Sequence, residues 1–581
     1  MGWSVGSRSI GIVLGILVGL LLGFIDSYSY AVSGFTTAEL SILIIPVLMM
    51  LLSEMLKLGL TIEDIMLSSA IAMGMDLTTT LTSGMYITYG FLEHLSSRLA
   101  AFGLSVKVPP FLFALKNELM DFTAMPLYLI LSMVSVGGAF IAYAVRRHFF
   151  DMERLPYPLG MTVAIILSTL KRFIEPGIAI AFLVGALLQA AIFRLGEVMY
   201  DLTPVAQVLI PGVVIALSFN AITFFLALLL PKGSLYSVSA GSLFTYLGII
   251  PLTTLLGYVV FEPLPSYESA LFTASPLITS MIIGYVAVAS IMYVFHYRKV
   301  YARTMYIILK LRYERLMMFV GFVIIGFMLP TLYVCTHSVR DLFTSAIMFL
   351  VVLLMHPFLT FVNLRIVGEV GFSSQALFPL ATAVIYGGGV RDVSSYAIVD
   401  PFTGIPMPQL VGGTAMNLLR AFRVLGARLA RGLTCFVLGM VIGAPITYVY
   451  GNILVKAFGF DSPLMPLTKW IPTVVWMSVI YSGGTQAVIP PLVALGALLG
   501  AALSIGGLTE KLRLSPFAFV LGMSMPPDIG VMFLIAANIK SIVLRMGVEL
   551  HEKLIIYSTC ALIGAGITTL LYTILTVMEA V

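Results

Sequence analysis

Asp76 lies inside the apolar run 68–84, and five hydroxyl side chains, Thr78, Thr79, Thr80, Thr82 and Ser83, follow it closely. Gly74 and Gly84 flank the group, where a helix can loosen and release carbonyl oxygens. A carboxylate beside hydroxyls and freed carbonyls can take up a proton, coordinate a cation or hold a substrate amine, with Asp76, Thr78 and Thr79 as the contacting residues. The plainer reading has the threonines bonding their own helix carbonyls and Asp76 serving as an N-cap.

Other charged or polar groups stand at breaks in apolar sequence. Arg365 and Glu369, four residues apart at the end of one stretch, would share a helix face and neutralise each other, or else present both signs beside Ser373, Ser374 and Gln375. Asp528 follows Pro526-Pro527 and is read either as a ligand at a hairpin tip or as the cap of the next helix. Tyr157 sits between two prolines, which keeps it out of a helix and predicts a side chain projecting from an extended turn. Lys116, Glu118 and Asp121 precede another stretch; they offer both charges to a zwitterion, although acids in a first helical turn are ordinary. The carboxylates considered for proton coupling are Asp76, Glu369 and Asp121. His356 could relay protons, or serve as a hydrogen-bonded packing histidine.

The elements that must position these groups are membrane helices. Hydrophobic residues make up 60% of the 581-residue chain and charged residues only 10%, far outside the range of soluble domains. Apolar stretches run over 10–30, 38–58, 65–91, 124–145, 177–196, 204–230, 235–260, 273–296, 316–336, 342–362, 428–452, 484–507 and 552–577. With the shorter pieces between them, the length accommodates roughly 14 to 18 membrane segments. The fold class is all-α, a polytopic bundle with broken helices. The first stretch reads as a span, since no small-residue cleavage site follows it.

Basic clusters at 146–148, 298–315, 420–431, 511–513 and 540–545 belong on the cytoplasmic side. An even number of crossings must separate any two of them, so the surplus pieces 371–386, 470–481 and the stretch broken at Met525-Pro526-Pro527-Asp528 are expected to enter and return. Half-length 160–170 is the weakest candidate for crossing. Bilayers forbid lipid-exposed irregular backbone, so such breaks are buried in protein or line a wet cavity.

Several classes are excluded or disfavoured. The net charge of +5 is scattered through loops, which argues against a nucleic-acid surface. Cys335, Cys435 and Cys560 have no ligand spacing, so neither a metal centre nor a disulfide framework is expected, and no cofactor is implied. No phosphate-binding GxxxxGK[ST] loop supports ATP-driven transport. An intramembrane protease would need two facing aspartates; Tyr200-Asp201 offers a superficial first half, but Asp392 has no glycine directly before it and is followed by polar sequence. The chain therefore reads as a transporter rather than an enzyme, with a passive channel or a lipid-handling membrane protein as the alternative.

Four segments share a pattern with a known family. Leu155-Pro156-Tyr157-Pro158-Leu159-Gly160 resembles the LPYPxG signature of the oligopeptide transporter (OPT) superfamily. Thr61-Ile62-Glu63, the stretch Asn363 to Ser374, and the stretch Ser515 to Pro527 are similar to its early threonine-x-glutamate, its glycine-serine-serine segment and its last proline break. Leu159 replaces an acidic residue often found there, and Gln375-Ala376 replaces asparagine-proline, so substrate identity does not carry over. The resemblance implies secondary active transport, usually proton-driven, of small peptides or of metal complexes with peptide-like chelators. It also implies about sixteen segments from an internal duplication, with 1–315 and 316–581 as the two halves. Ile210-Pro211-Gly212 and Met525-Pro526-Pro527 interrupt apolar sequence in opposite halves, the former as a kink in a full span. The expected setting is the plasma membrane, with the lipid bilayer, a small-molecule solute and a proton as partners; a homo-oligomer is left open.

Overall fold

The computed structural model describes residues 5–33, 41–100, 106–114, 121–170, 176–195, 198–219, 221–296, 298–299, 302, 306, 310–336, 342–373, 377–460, 465, 467–483, 489–504 and 514–580. The chain is overwhelmingly helical, and among the described residues nine helical stretches are long and apolar enough to cross a membrane. It is an all-α integral membrane bundle. The main helices, in chain order, are α1 (Val5–Ser33), α2 (Ser41–Met55), α3 (Ile62–Thr79), α4 (Met85–Ala100), α5 (Gly137–Arg147), α6 (Pro158–Leu170), α7 (Pro176–Leu195), α8 (Lys232–Phe244) and α9 (Tyr267–His296). Then follow α10 (Arg312–Gly326), α11 (His356–Val370), α12 (Pro408–Val424), α13 (Leu429–Phe458), α14 (Pro490–Ser504), α15 (Pro516–Ser524), α16 (Pro527–Met546) and α17 (Val548–Ala580), with shorter helices between.

These elements form two compact units, each assembled from three separate stretches of chain. The first comprises 1–168, 303–368 and 381–487; the second comprises 169–302, 369–380 and 488–581.

In the first unit α3 packs along α1 and α13. Its start is set locally: Thr61 caps the helix and forms a capping box with Asp64, each side chain satisfying the other residue's N–H at 3.2 Å. The α3–α13 seam is built on glycine. A Cβ placed on Gly443 would lie 2.5 Å from Met75 Cα, one on Gly439 2.8 Å from the Ile71 carbonyl carbon, and one on Gly451 2.8 Å from Ser83 Cα. Gly74 answers from α3, where a Cβ would stand 2.9 Å from the Met440 nitrogen. Apolar side chains gain little from leaving lipid, so close backbone approach through small residues is what brings such helices together.

The second unit repeats this device. Gly241 of α8 meets Phe519 of α15 while Gly522 meets Val238, and Gly284 of α9 meets Val493 of α14 while Gly496 meets Met281. Gly185 of α7 meets Ala561 of α17, and Gly564 meets Phe182. A two-stranded antiparallel ribbon, β1 (Val198–Asp201) and β2 (Ala216–Phe219), pairs Val198 with Phe219 and Asp201 with Ala216.

That ribbon corrects one expectation. The stretch 204–230 is not a kinked span but a short helix Thr203–Leu209, a turn, β2 and a second short helix Ala221–Leu229. Pro211 cannot donate a helix hydrogen bond and Gly212 takes φ +85°, so the chain turns back instead of continuing. The Asp201 carboxylate secures the turn by accepting the N–H groups of Thr203 (2.8 Å) and Tyr267 (2.7 Å). The apolar sequence around Met525 is likewise divided, with α15 ending at Ser524 and α16 starting at Pro527.

Candidate functional site

Asp76 lies in the last part of α3, far from the N-cap at Thr61, and is only 2% exposed. The hydroxyls behind it bond mainly to their own helix. Thr78 and Thr79 donate to the carbonyls of Met75 and Asp76 at 2.6 Å, and Thr82 and Ser83 to those of Thr78 and Thr79 at 2.9 Å. Hydroxyls that take over carbonyl acceptors loosen the regular ladder, and here the backbone widens into a π-helical turn, Thr80–Gly84. The polar seam extends across the unit: Thr447 of α13 lies 2.9 Å from the Thr78 hydroxyl and 2.7 Å from that of Thr82, and Ser27 of α1 lies 2.8 Å from Ser83.

A second carboxylate, Asp26 of α1, is also 2% exposed and accepts a hydrogen bond from the Thr79 hydroxyl. The side chain of Ser41 hydrogen-bonds the Asp76 carboxyl, yet Asp76 Oδ1 is buried with no hydrogen-bond partner among the described residues. Sequence reasoning passed over Asp26. The signal was present, since a lone acid inside an apolar run with mean hydropathy 2.3 meets the same criterion that singled out Asp76.

Arg365 pairs in the first unit with Glu153, whose other oxygen lies 2.6 Å from His148 Nε2. His148 is wholly buried and belongs to a second π-helical turn, His148–Met152, that ends the segment begun by α5. Tyr157 does not project from an extended turn. It takes φ +50°, is fully buried, donates its hydroxyl to the Leu364 carbonyl at 2.9 Å and its N–H to Gly368 at 3.0 Å. Pro158, opening α6, disfavours the right-handed helical conformation for the preceding residue, and the two hydrogen bonds hold Tyr157 in the left-handed one. Gly368 admits this contact, since a Cβ there would lie 2.6 Å from a Leu155 methyl. The stretches 155–160 and 363–368, far apart in sequence, therefore adjoin in the first unit.

In the second unit Glu369 accepts a hydrogen bond from the Ser515 hydroxyl, and its carbonyl accepts one from Ser234 at 3.2 Å. The Ser515 N–H donates to Ser237 at 2.8 Å. Asp528 is not the cap, since Pro526 occupies the N-cap position of α16. The Asp528 carboxylate instead accepts the hydroxyls of Ser218 (2.6 Å) and Tyr267 (2.5 Å), tying α16 to β2 and α9. Ser373 is buried, whereas Ser374 and Gln375 lie outside the described residues.

Asp121 works as a loop clamp. Its carboxylate accepts the N–H groups of Ala114 (3.2 Å) and Thr123 (2.9 Å), and its carbonyl accepts the Tyr448 hydroxyl at 2.7 Å. Lys116 and Glu118 lie outside the described residues. His356 Nε2 lies 2.7 Å from the Val399 carbonyl and its Nδ1 lies 3.2 Å from Gln409 Nε2, the pattern of a neutral ring that donates on one side and accepts on the other. Asp400, also missed in sequence, is fully buried and accepts the hydroxyls of Thr382 (2.8 Å) and Thr403 (2.7 Å). Burial raises its carboxyl from 3.8 to about 6, and the threonine bonds oppose part of that rise.

No protein-family model matches the chain, and no curated protein matches it.

Proposed function

We propose that this protein is a secondary active transporter, driven by protons, that moves small peptides or peptide-like and metal-chelate solutes by alternating access across the plasma membrane. Asp76 carries the reading: a carboxylate deep in a membrane helix, with one oxygen buried and without a hydrogen-bond partner among the described residues, beside a π-helical turn in a hydroxyl-rich seam. Ionisable groups at such depth are costly, and titration during a transport cycle is a reason to keep one. The resemblance to the oligopeptide transporter superfamily supports the same reading, and so does the contact between the 155–160 and 363–368 stretches that carry part of it.

In this proposal Asp76 takes up the coupling proton. The candidate solute contacts are Arg365 and Tyr157 in the first unit and, separately, Glu369, Ser373 and Asp528 in the second, with Ser374 and Gln375 kept as candidates from the sequence and the surplus apolar pieces read as re-entrant. The test is uptake into proteoliposomes under an inward proton gradient. Wild-type protein should concentrate a labelled peptide or chelate against its own gradient, and Asp76→Asn should abolish accumulation. Uptake that only equilibrates, and that ignores both the pH gradient and the substitution, would assign the protein to the passive channels.

A further inference from the structure

The helix Met125–Ser135 gives way at Val136 to α5, and just past that break α5 meets α10 at close range. A Cβ added to Gly137 would lie 2.7 Å from the Ile325 side chain, and one added to Gly321 2.8 Å from that of Ile141. Farther along, Arg146 reaches Glu314 at 3.1 Å. The two helices therefore run antiparallel, with glycines at one end of their seam and charges at the other.

At the glycine end lies a cavity of about 480 Å³. Every residue that lines it is apolar, among them Ile130, Met133, Phe140, Phe327 and, from α13, Val437. Ile130 and Phe327 are 46% and 56% exposed, so the cavity opens onto the surface that a bilayer covers. Its volume falls within the roughly 300–1,000 Å³ of small-molecule sites, and walls of this kind lose dispersion contacts unless an apolar group enters.

The charged end supplies an independent observation. Arg146 and Arg147 both reach the same Glu314 oxygen, at 3.1 and 3.7 Å, so one carboxylate answers two guanidinium groups. Arg147 is half-exposed, and Arg312, the first residue of α10, is exposed. The acids that follow α5 are engaged elsewhere, Asp151 by Arg423 and Glu153 by His148 and Arg365. This end of the seam carries a surplus of positive charge.

The spacing of the two ends suits a lipid. Phe140 precedes Arg147 by seven residues and Ile324, also on the cavity wall, follows Arg312 by twelve, which sets the cavity roughly 10–18 Å from the arginines at about 1.5 Å per residue. One leaflet's hydrocarbon is about 15 Å deep, half of a core of about 30 Å. The basic clusters at 146–148 and 298–315 are those expected on the cytoplasmic side, where the leaflet carries anionic lipids.

From this arrangement we propose that the groove binds one anionic phospholipid, with its phosphate at Arg147 and Arg312 and an acyl chain in the cavity. All of these residues belong to the first unit. The site needs only the membrane setting and holds whether or not the protein transports a solute.

Full-length protein in mild detergent would be mixed with phosphatidylglycerol, or with phosphatidylcholine of the same acyl chains, and the retained lipid counted by native mass spectrometry. One phosphatidylglycerol should be retained, with an affinity at least about fivefold above that of phosphatidylcholine. Arg147→Gln and Arg312→Gln should each weaken retention about fivefold, the worth of one arginine near a membrane surface. Val437→Trp, which fills the cavity from α13, should remove the lipid; where it fails to fold, Met133→Trp fills the same space from another helix and decides. Equal retention of the two lipids, or arginine variants that match wild type, would reduce the groove to ordinary bilayer contact and overturn the site. Undiminished phosphatidylglycerol on a folded tryptophan variant would overturn it too. So would displacement of the lipid by millimolar inorganic phosphate, which would make the arginines a site for the free anion.

Discussion

Replacing Glu153 with Gln removes the only carboxylate that the structure places between His148 and Arg365 among the described residues. The three side chains are 6%, 0% and 15% exposed, so water cannot take over the lost interaction. Breaking such a buried pair from one side destabilises by about 3–5 kcal/mol, most of it the cost of leaving Arg365 charged and poorly solvated. Arg365→Gln should cost a similar amount for the converse reason. The double variant, with both charges gone, should cost less than the sum by about 2 kcal/mol, because neither charge is left behind. The assay is denaturant unfolding of the full-length protein in mild detergent for wild type, both singles and the double. Additivity within about 0.5 kcal/mol would refute the reasoning and would mean that water or another group solvates Arg365. His148→Gln gives the local control: an amide keeps a donor beside Glu153 and should cost only about 1 kcal/mol.

Two further outcomes follow from burial and packing. Asp400 sits in the turn after a short helix, outside the apolar spans, and its folded value of about 6 stands above the unfolded 3.8; the folded state therefore binds the proton more tightly. That contribution is fully present below pH 3.8 and is lost as pH rises through about 6, a fall on the order of 3 kcal/mol that a pH series of unfolding midpoints should show and Asp400→Asn should flatten. Gly439→Ala should separate α3 from α13 and destabilise by about 1–3 kcal/mol, whereas Gly233→Ala in α8, with nothing within 4 Å of its Cβ position, should be close to neutral; thermal unfolding in detergent compares them.

Features set by local chemistry were legible in the sequence. Composition gives the helical membrane class, and the break at Pro526-Pro527 follows from the missing proline donors. The plainer reading of the Thr78–Ser83 cluster, hydroxyls bonded to their own helix, describes those contacts well, but Asp76 is no N-cap. What stayed hidden depends on chain segments meeting across long separations. Arg365 finds Glu153 across 212 residues, and Tyr157 reaches Leu364 across 207. Neither partner is announced by spacing or periodicity. The stretch 204–230 misled for a related reason: its apolar content suits a span, while Gly212 and the pairing of β2 with β1 turn it into a hairpin.

The glycine seams also affect how a mutational survey of this protein would read. Wherever a methyl group would meet a carbonyl of the facing helix, as at Gly138 against Pro408 or Gly160 against Asn417, nearly every substitution will depress the amount of folded protein. Such a survey scored on growth alone would place its strongest signals on these positions and rank a buried polar residue such as Asp76 beneath them. Dividing each score by the quantity of protein that reaches the membrane removes the glycines from the map. What remains separates residues that hold the helices together from residues on which the proposed transport would depend.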